Sequence, residues 1–349
     1  MALPRFDGKY ALLLYDQAAA GGDEASRDVF DQLDAMEEAL RGCGMTTKRF
    51  GVSLDLGALK KCIMDRPPDV AINLVESVDG SDRLQTLVPL VLEDWRVPFT
   101  GCGSAAMLLS NDKIACKRAL AAQGLPVLEG LWLDAGGSVV SCSSDSFSAR
   151  GDWIVKAVEA HASLFLDDSS VLLDAAPEVV AERVAGESVR RGMRFFAERY
   201  IDGREFNISL LEKAGGGVTV LPAAEIRFDG LPEARLKIVG YAAKWAEASE
   251  EYCGTVRSFD FSSGDAGLVD ALCALSRSVW DVLALSGYAR VDFRVDAEGR
   301  PYILEVNVNP CITPDAGFAA AAERGGFSYA ALAAAIVGVA GGRGGVSFR

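Results

Sequence analysis

Apolar positions along the first hundred residues alternate between two periods, one suited to strands and one to helices. Residues 9–15 form a short apolar strand segment. Residues 23–44 place Val29, Leu33, Met36 and Leu40 on one helical face and stop at a Gly-Cys-Gly sequence. A strand at 69–74, a helix at 83–95 and an extended piece at 97–100 follow. Strands and helices in this order predict a parallel sheet with helices on its faces.

Beyond residue 110 the pattern changes. Residues 111–123 predict a helix with a basic side, stopped by Gly124 and Pro126. Residues 135–151 are rich in Gly and Ser and read as a loop or edge. A strand is predicted at 153–157, and a hairpin at 195–211 around the turn dipeptide Asp202-Gly203. Residues 223–259 are polar and turn-rich, too long for an ordinary connection, which suggests a functional lid. An amphipathic helix at 268–286, a second hairpin and a buried helix at 329–340 complete the chain.

Composition narrows the function. Half of the 349 residues are apolar, enough for two or three packed lobes. Acidic residues outnumber basic ones 49 to 35, a formal charge of −14, which argues against a nucleic-acid partner. The first apolar run, 10–15, is too short for a signal-peptide core or a membrane span, so a cytoplasmic protein without a membrane partner is expected. The eight cysteines are scattered without a CxxC pair, consistent with free thiols. His161 is the single histidine, which excludes a multi-histidine metal site.

The most informative stretch is 288–310, YARVDFRVDAEGRPYILEVNVNP. Two alternating runs flank a turn at 296–299, so Arg290, Asp292 and Arg294 share one face, as do Glu305 and Asn307. Closing the hairpin sets position 292 opposite 304 or 305. Two readings fit the juxtaposed acids. They are a hard oxygen cluster for Mg²⁺, with Asn307 alongside, or a surface ladder neutralised by Arg290 and Arg294. Lys113 on the basic helix, Lys156 at the end of an apolar strand and Lys244 in the lid region could gather phosphates. A lone lysine is ordinarily just a surface charge, but the stem of Lys156 has to leave a buried strand. Glu198 and Glu205 are polar positions in an otherwise apolar segment.

The order of these pieces resembles the ATP-grasp superfamily and, within it, the D-alanine–D-alanine ligase-like carboxylate–amine ligases. The resemblance is carried by VPFTGCGSAAMLLSNDKIACKRALAAQGLPV (97–127), WIVKAVEAHASLFLDDSSVL (153–172), FFAERYIDGREFNISLL (195–211), YAAKW (241–245) and GYARVDFRVDAEGRPYILEVNVNPCIT (287–313). It implies an α/β protein with the ATP-grasp fold: an N-terminal doubly wound α/β lobe over 1–101, a central lobe over 102–197 and a C-terminal lobe over 198–349. It implies ATP held by Lys113, Lys156 and Ser163, with Glu198, Arg199, Tyr200 and Ile201 as the hinge along the adenine edge and Glu205 on the ribose. Lys244 would reach the transferred phosphate. Asp292, Glu305 and Asn307 would hold two Mg²⁺ ions, with Mn²⁺ as a substitute, and Arg290 would steady the oxyanion. The substrates would be a small carboxylate and an amine, amino acids or a short peptide, and a homodimer through the N-terminal lobe is a family-level expectation.

Four departures from the family pattern concern the substrate side. The phosphate-covering loop reads EAHASLFLDDSS, without the usual glycine after its serines. His161 in it reads either as a loop residue or as a substrate or phosphate contact. The N-terminal lobe carries NLVESVDGSDR, where Glu76 and Arg83 are substrate contacts or parts of a solvated loop. Trp245 follows the lid lysine where a tyrosine is usual. In NPCITPDAGF, Asn309 is a further candidate substrate contact, while Cys311 replaces a glycine, as space-filler or reactive thiol. The runner-up expectation is D-alanine–D-alanine ligase itself; a catalytically impaired ATP-binding protein is the reading from another class.

Overall fold

The computed structural model describes residues 4–21, 24–141, 150–161, 163–232, 235–241 and 249–340. Three sheets succeed one another along the chain. The first is parallel, with β1 (Tyr10–Asp16) between β2 (Thr46–Val52) and β3 (Val70–Asn73). Its central strand is buried almost throughout, as a strand covered on both faces must be. The edge strand β2 reads TTKRFGV and alternates between exposed and half-buried positions, which hid it from hydrophobic periodicity. Helices α1 (Glu24–Gly42), α2 (Leu56–Asp65) and α3 (Leu87–Asp94) accompany this sheet. A short 3-10 turn, Asp82–Thr86, precedes α3 where one continuous helix was expected.

The predicted basic helix is two helices, α4 (Ser104–Asn111) and α5 (Lys113–Ala122). They break at Asp112, whose extended backbone frees its carboxylate to accept the Ala115 amide and cap α5. The second sheet is antiparallel, ordered β5 (Val139–Ser141), β4 (Gly130–Leu133), β8 (Phe195–Arg199), β6 (Gly151–Ala157) and β7 (Val171–Ala175). Helix α6 (Pro177–Arg191) packs on it, opening with proline in its first turn and ending at Gly192 in the left-handed region, φ 66°.

The third sheet runs β12 (Val256–Ser258), β11 (Ala224–Arg227), β9 (Arg204–Glu212), β13 (Tyr288–Val295) and β14 (Pro301–Asn307), with β10 (Val218–Val220) also on β9. The segment expected to be a 195–211 hairpin is instead a crossing between sheets: β8 belongs to the second and β9 to the third. Asp202-Gly203 lies in that crossing. Glycine is required there because a Cβ at position 203 would meet the Val295 carbonyl at 2.0 Å. The expected lid region contains β11, β12 and helix α7 (Glu250–Gly254).

Helix α8 (Ala266–Val282) buries Leu272, Val279 and Trp280 against Phe206, Val291 and Phe293 of the third sheet. The predicted buried helix is α10 (Tyr329–Ala340); with α9 (Gly317–Arg324) it shares a core with β1, β3 and α1 through Phe318, Ile336, Val337, Leu13, Leu33 and Ile72. The C-terminal helices thereby fasten the third sheet to the first. Among the described residues no helix is long and apolar enough to cross a membrane.

Candidate active site

A cleft of about 1190 Å³ runs between the second and third sheets and the end of the first. It is lined by every described residue singled out from the sequence except Arg83, which points to Glu159 at 3.8 Å with 73% of its side chain exposed. Lys244 and Trp245 lie outside the described residues.

Strands β13 and β14 build one wall. Their antiparallel register pairs Asp292 with Glu305 and Arg290 with Asn307, and a bulge follows Asp292. Opposed carboxylates repel unless they are neutralised. Here Arg290 grips Asp292 through two hydrogen bonds of 2.7 and 2.8 Å, and Lys113 lies 3.1 Å from Glu305. Burial would lower the Arg290 pKa, but Asp292, then Glu305 and Glu205, more than reverse this and hold it above the ordinary arginine value. Asn207 on β9 donates to Asp292 at 2.8 Å. Glu205, also on β9, pairs with Arg294 at 3.3 Å. Arg294 additionally donates to the Gly203 and Lys237 carbonyls.

The second sheet supplies the opposite wall. Glu198 on β8 is 1% exposed, and its carboxylate takes Lys156 from β6 on one oxygen and Lys117 from α5 on the other, each at 2.6 Å. Burial would raise this carboxyl. The two ammonium groups outweigh it and hold Glu198 below the usual carboxylate range. Lys117 escaped sequence reasoning; the available signal was its place four residues after Lys113, on the same helical face. Past Glu198, the side chain of Arg199 turns to Glu129 at 2.8 Å and stacks over Trp153. The Tyr200 hydroxyl accepts from the Lys237 amide, and the Ile201 amide has no hydrogen-bond partner among the described residues.

At the end formed by the first sheet, His161 is tied to the N-terminal elements. Its amide donates to Asp82 at 2.8 Å, and its Nε2 lies 2.7 Å from Asn111 Oδ1 and 2.9 Å from Gln85. Asn309 donates to the Val75 carbonyl and accepts from the Tyr288 hydroxyl, so its amide braces two lobes against each other. Cys311 lies 3.4 Å from Asp28 and 3.3 Å from Thr313. Burial, then Glu76 and Asp28, push its thiol far above the usual value, which disfavours the thiolate form. Glu76 is exposed toward the open cleft while neighbouring protein atoms crowd its carboxyl. Lost hydration, then Asp28 and Asp82, push its carboxyl up to about 7.

Comparisons bear on this arrangement. Residues 176–338 match the family model described as the D-ala D-ala ligase C-terminus. D-alanine–D-alanine ligase from Methylococcus capsulatus is 30% identical over 330 residues, covering 93% of each chain. This chain belongs to the D-alanine–D-alanine ligase family. It is an ATP-grasp ligase, of the kind that joins a carboxylate to an amine through a new C–N bond. The fold agrees with D-alanine–D-alanine ligase from Bacillus anthracis, at a TM-score of 0.71, 18% identity and coverage of 95% of this chain and 97% of that one. A second structure of that enzyme, complexed with ATP, superposes with a TM-score of 0.70.

Within the ligase family frame, the glycine-poor loop becomes intelligible. Ser163 and Phe165 adopt φ of 58° and 64°, the left-handed conformation that glycine takes without strain. Non-glycine residues there cost about 1 kcal/mol or more each, so surrounding contacts must hold them. Ser163 Oγ donates to the Val239 carbonyl at 2.7 Å, and the Phe165 ring packs on Phe195 under the Arg191 guanidinium at 3.9 Å. The loop also abuts the next segment, since the Tyr241 amide donates to the Leu166 carbonyl. Its backbone shape is thus held by packing where glycine would have permitted it freely.

Proposed function

We propose that this ligase uses ATP to convert a carboxylate into an acyl phosphate, which an amino acid or short peptide then attacks through its amine, releasing ADP and phosphate. The observation that carries this reading is the convergence on one cleft of cations from α5 and β6, carboxylates from β13 and β14, and Arg290 between them.

ATP, with which a structural relative is complexed, would lie in the cleft between the second and third sheets, where the cations gather. The Ile201 amide, without a partner among the described residues, suits the adenine edge, and Glu205 suits the ribose hydroxyls. Lys113, Lys156 and the Ser163 loop would hold the phosphates, and Lys244, outside the described residues, is assigned the transferred phosphate by its place in the sequence motif. Asp292, Glu305 and Asn307 offer two carboxylates and an amide oxygen, a donor set that fits Mg²⁺, or Mn²⁺ in its place, better than a softer metal. Two such ions, once bound, neutralise phosphate charge during transfer. Each acid now rests on a cation of its own chain, so substrate binding would exchange partners. Arg290, released from Asp292, would be free to stabilise the tetrahedral oxyanion.

The chemistry balances in two steps. A carboxylate oxygen attacks the terminal phosphorus and the bond to ADP breaks. The amine nitrogen then attacks the acyl carbon, and the carbon–oxygen bond to phosphate breaks with loss of the amine proton. Water must be kept out between the two steps because it would hydrolyse the acyl phosphate. Lobes divided at 101/102 and 197/198 give the cleft its opening, and we assign the active form to a homodimer in the cytoplasm.

The test is phosphate release with ATP and Mg²⁺ against pooled L- and D-amino acids and dipeptides, with mass spectrometry of each positive pool. A product equal to two components minus water supports the reading. ATP hydrolysis indifferent to every added acid and amine overturns it. D-Alanine alone giving the condensed mass would establish the second reading, D-alanine–D-alanine ligase, which the Methylococcus capsulatus relative favours.

A further inference from the structure

The phosphate-covering loop is fastened to the first lobe through side chains. Asn111, at the end of α4, donates its Nδ2 to the Asp82 carbonyl and to Thr86 Oγ1, each at 3.3 Å. Its Oδ1 is thereby turned toward the loop, where it accepts from Gln85 Nε2 at 2.8 Å and lies 2.7 Å from His161 Nε2. Gln85 Nε2 is itself 2.9 Å from the same ring nitrogen. Both neutral tautomers of the ring therefore find a partner. With the proton on Nε2 the ring donates to Asn111, and with the proton on Nδ1 it accepts from Gln85. Gln85 and Asn111 are buried, so these bonds form with little competition from water. The His161 amide adds a bond to Asp82, on the same 3-10 turn as Gln85. At the base of the loop, Arg194 reaches Asp112 at 2.6 Å and Glu159 at 2.8 Å, and Lys113 donates to the Ala160 carbonyl.

We propose that His161 is a positioning residue of the ligase: clasped by Gln85 and Asn111, it fixes the phosphate-covering loop from the first lobe and keeps it in place while the acyl phosphate exists. The proposal rests on the ligase reading above. A loop of glycines can settle over a phosphate by adjusting its own backbone. Here Ser163 and Phe165 hold a strained backbone through packing, so the loop has a shape set in advance and needs a fixed anchorage. The chain's single histidine supplies it, two residues before Ser163. The turn that carries Asp82 and Gln85 also follows closely on Glu76, which lines the cleft. Loop and substrate wall thus share one support.

The test is limited chymotrypsin digestion of the full-length protein, with cleavage after Leu164, Phe165 and Leu166 followed by mass spectrometry. The Phe165 ring is held against Phe195 and Arg191, so cutting there reports how often the loop opens. His161→Ala keeps the backbone bond to Asp82 and removes the ring. Loss of the ring's neutral hydrogen bonding predicts roughly threefold to tenfold faster cutting. Gln85→Ala should accelerate it less, because Asn111 remains. His161→Gln, whose amide reaches the place of the ring Nε2, should return the rate toward wild type. Cutting after the exposed Tyr252 should be alike in all variants, which separates loop opening from global unfolding. In any pool that supports ligation, phosphate released per condensed product should rise above one in His161→Ala and return toward one in His161→Gln, since an open loop admits water to the acyl phosphate. Wild-type cutting in His161→Ala overturns the proposal. So does failure of His161→Gln to slow it, equal acceleration at Tyr252, or a one-to-one ratio kept despite an open loop. Faster loop cutting, rescued by His161→Gln, in a protein whose phosphate release ignores every acid and amine would sink the ligase reading and leave the clasp standing.

Discussion

At the lysine-rich end of the cleft Glu198 sits between Lys117 and Lys156, and Glu305 beside Lys113, whereas at the end walled by the first sheet Asp28, Glu76 and Arg257 form no ion pair among the described residues. The same physics gives opposite results. Glu198 is more deeply buried than Glu76, yet its carboxyl is held down while that of Glu76 rises to about 7. Partner charges decide the sign once hydration is lost. The paired end is built ahead of any ligand and suits a nucleotide common to a whole family. The unpaired end has no such partners among the described residues, and there the sequence departs from the family pattern.

The largest effect expected at the paired end is catalytic. Glu305→Ala or Asp292→Asn should lower ATP turnover by on the order of 10²–10³-fold in a phosphate-release assay, since charge stabilisation of the transferring phosphoryl group is lost. Next comes stability. Glu198→Ala strands two lysines by removing their only carboxylate partner among the described residues, and a loss of about 3–5 kcal/mol is expected in denaturant unfolding. A loss under about 1 kcal/mol would mean the pairing is solvated after all.

The unpaired end is tested by pH. Glu76 has its folded-state carboxyl raised from 4.5 to about 7, so the folded protein holds the extra proton in that window and stability falls as pH rises through it. Glu76→Gln should flatten thermal melting between pH 4.5 and pH 7. A steeper profile in the variant would contradict the assignment. The smallest effect concerns thiols. Iodoacetamide should label the exposed Cys253 well before Cys311, whose thiol is pushed up by burial and neighbouring acids, and faster labelling of Cys311 would reopen its reading as a reactive group.

Much of the paired end was legible in the sequence. The alternation in residues 288–307 forces Arg290, Asp292 and Glu305 onto one face whatever packs around them, and the observed register agrees with the expected opposition of 292 and 305. Lys156 was legible too, as a charge ending an apolar strand. Lys117 was not, because a second lysine on a helix looks like solvent-facing polarity until β8 delivers Glu198 to it. Arg257 offered no local signal at all: it lies on a three-residue edge strand, and the return of α9 against that strand accompanies its place in the cleft lining.

The sequence by itself determined the strand and helix order of the first lobe, the 288–307 hairpin and its face of acids, and the buried C-terminal helix, because these follow from local periodicity and turn chemistry. Tertiary structure decided that Asp202-Gly203 crosses between sheets rather than reversing the chain, that Ser163 and Phe165 can hold a glycine-like backbone, and which charges find partners. Those outcomes depend on contacts between residues tens to hundreds of positions apart, where backbone approach and lost hydration have no counterpart in neighbouring sequence.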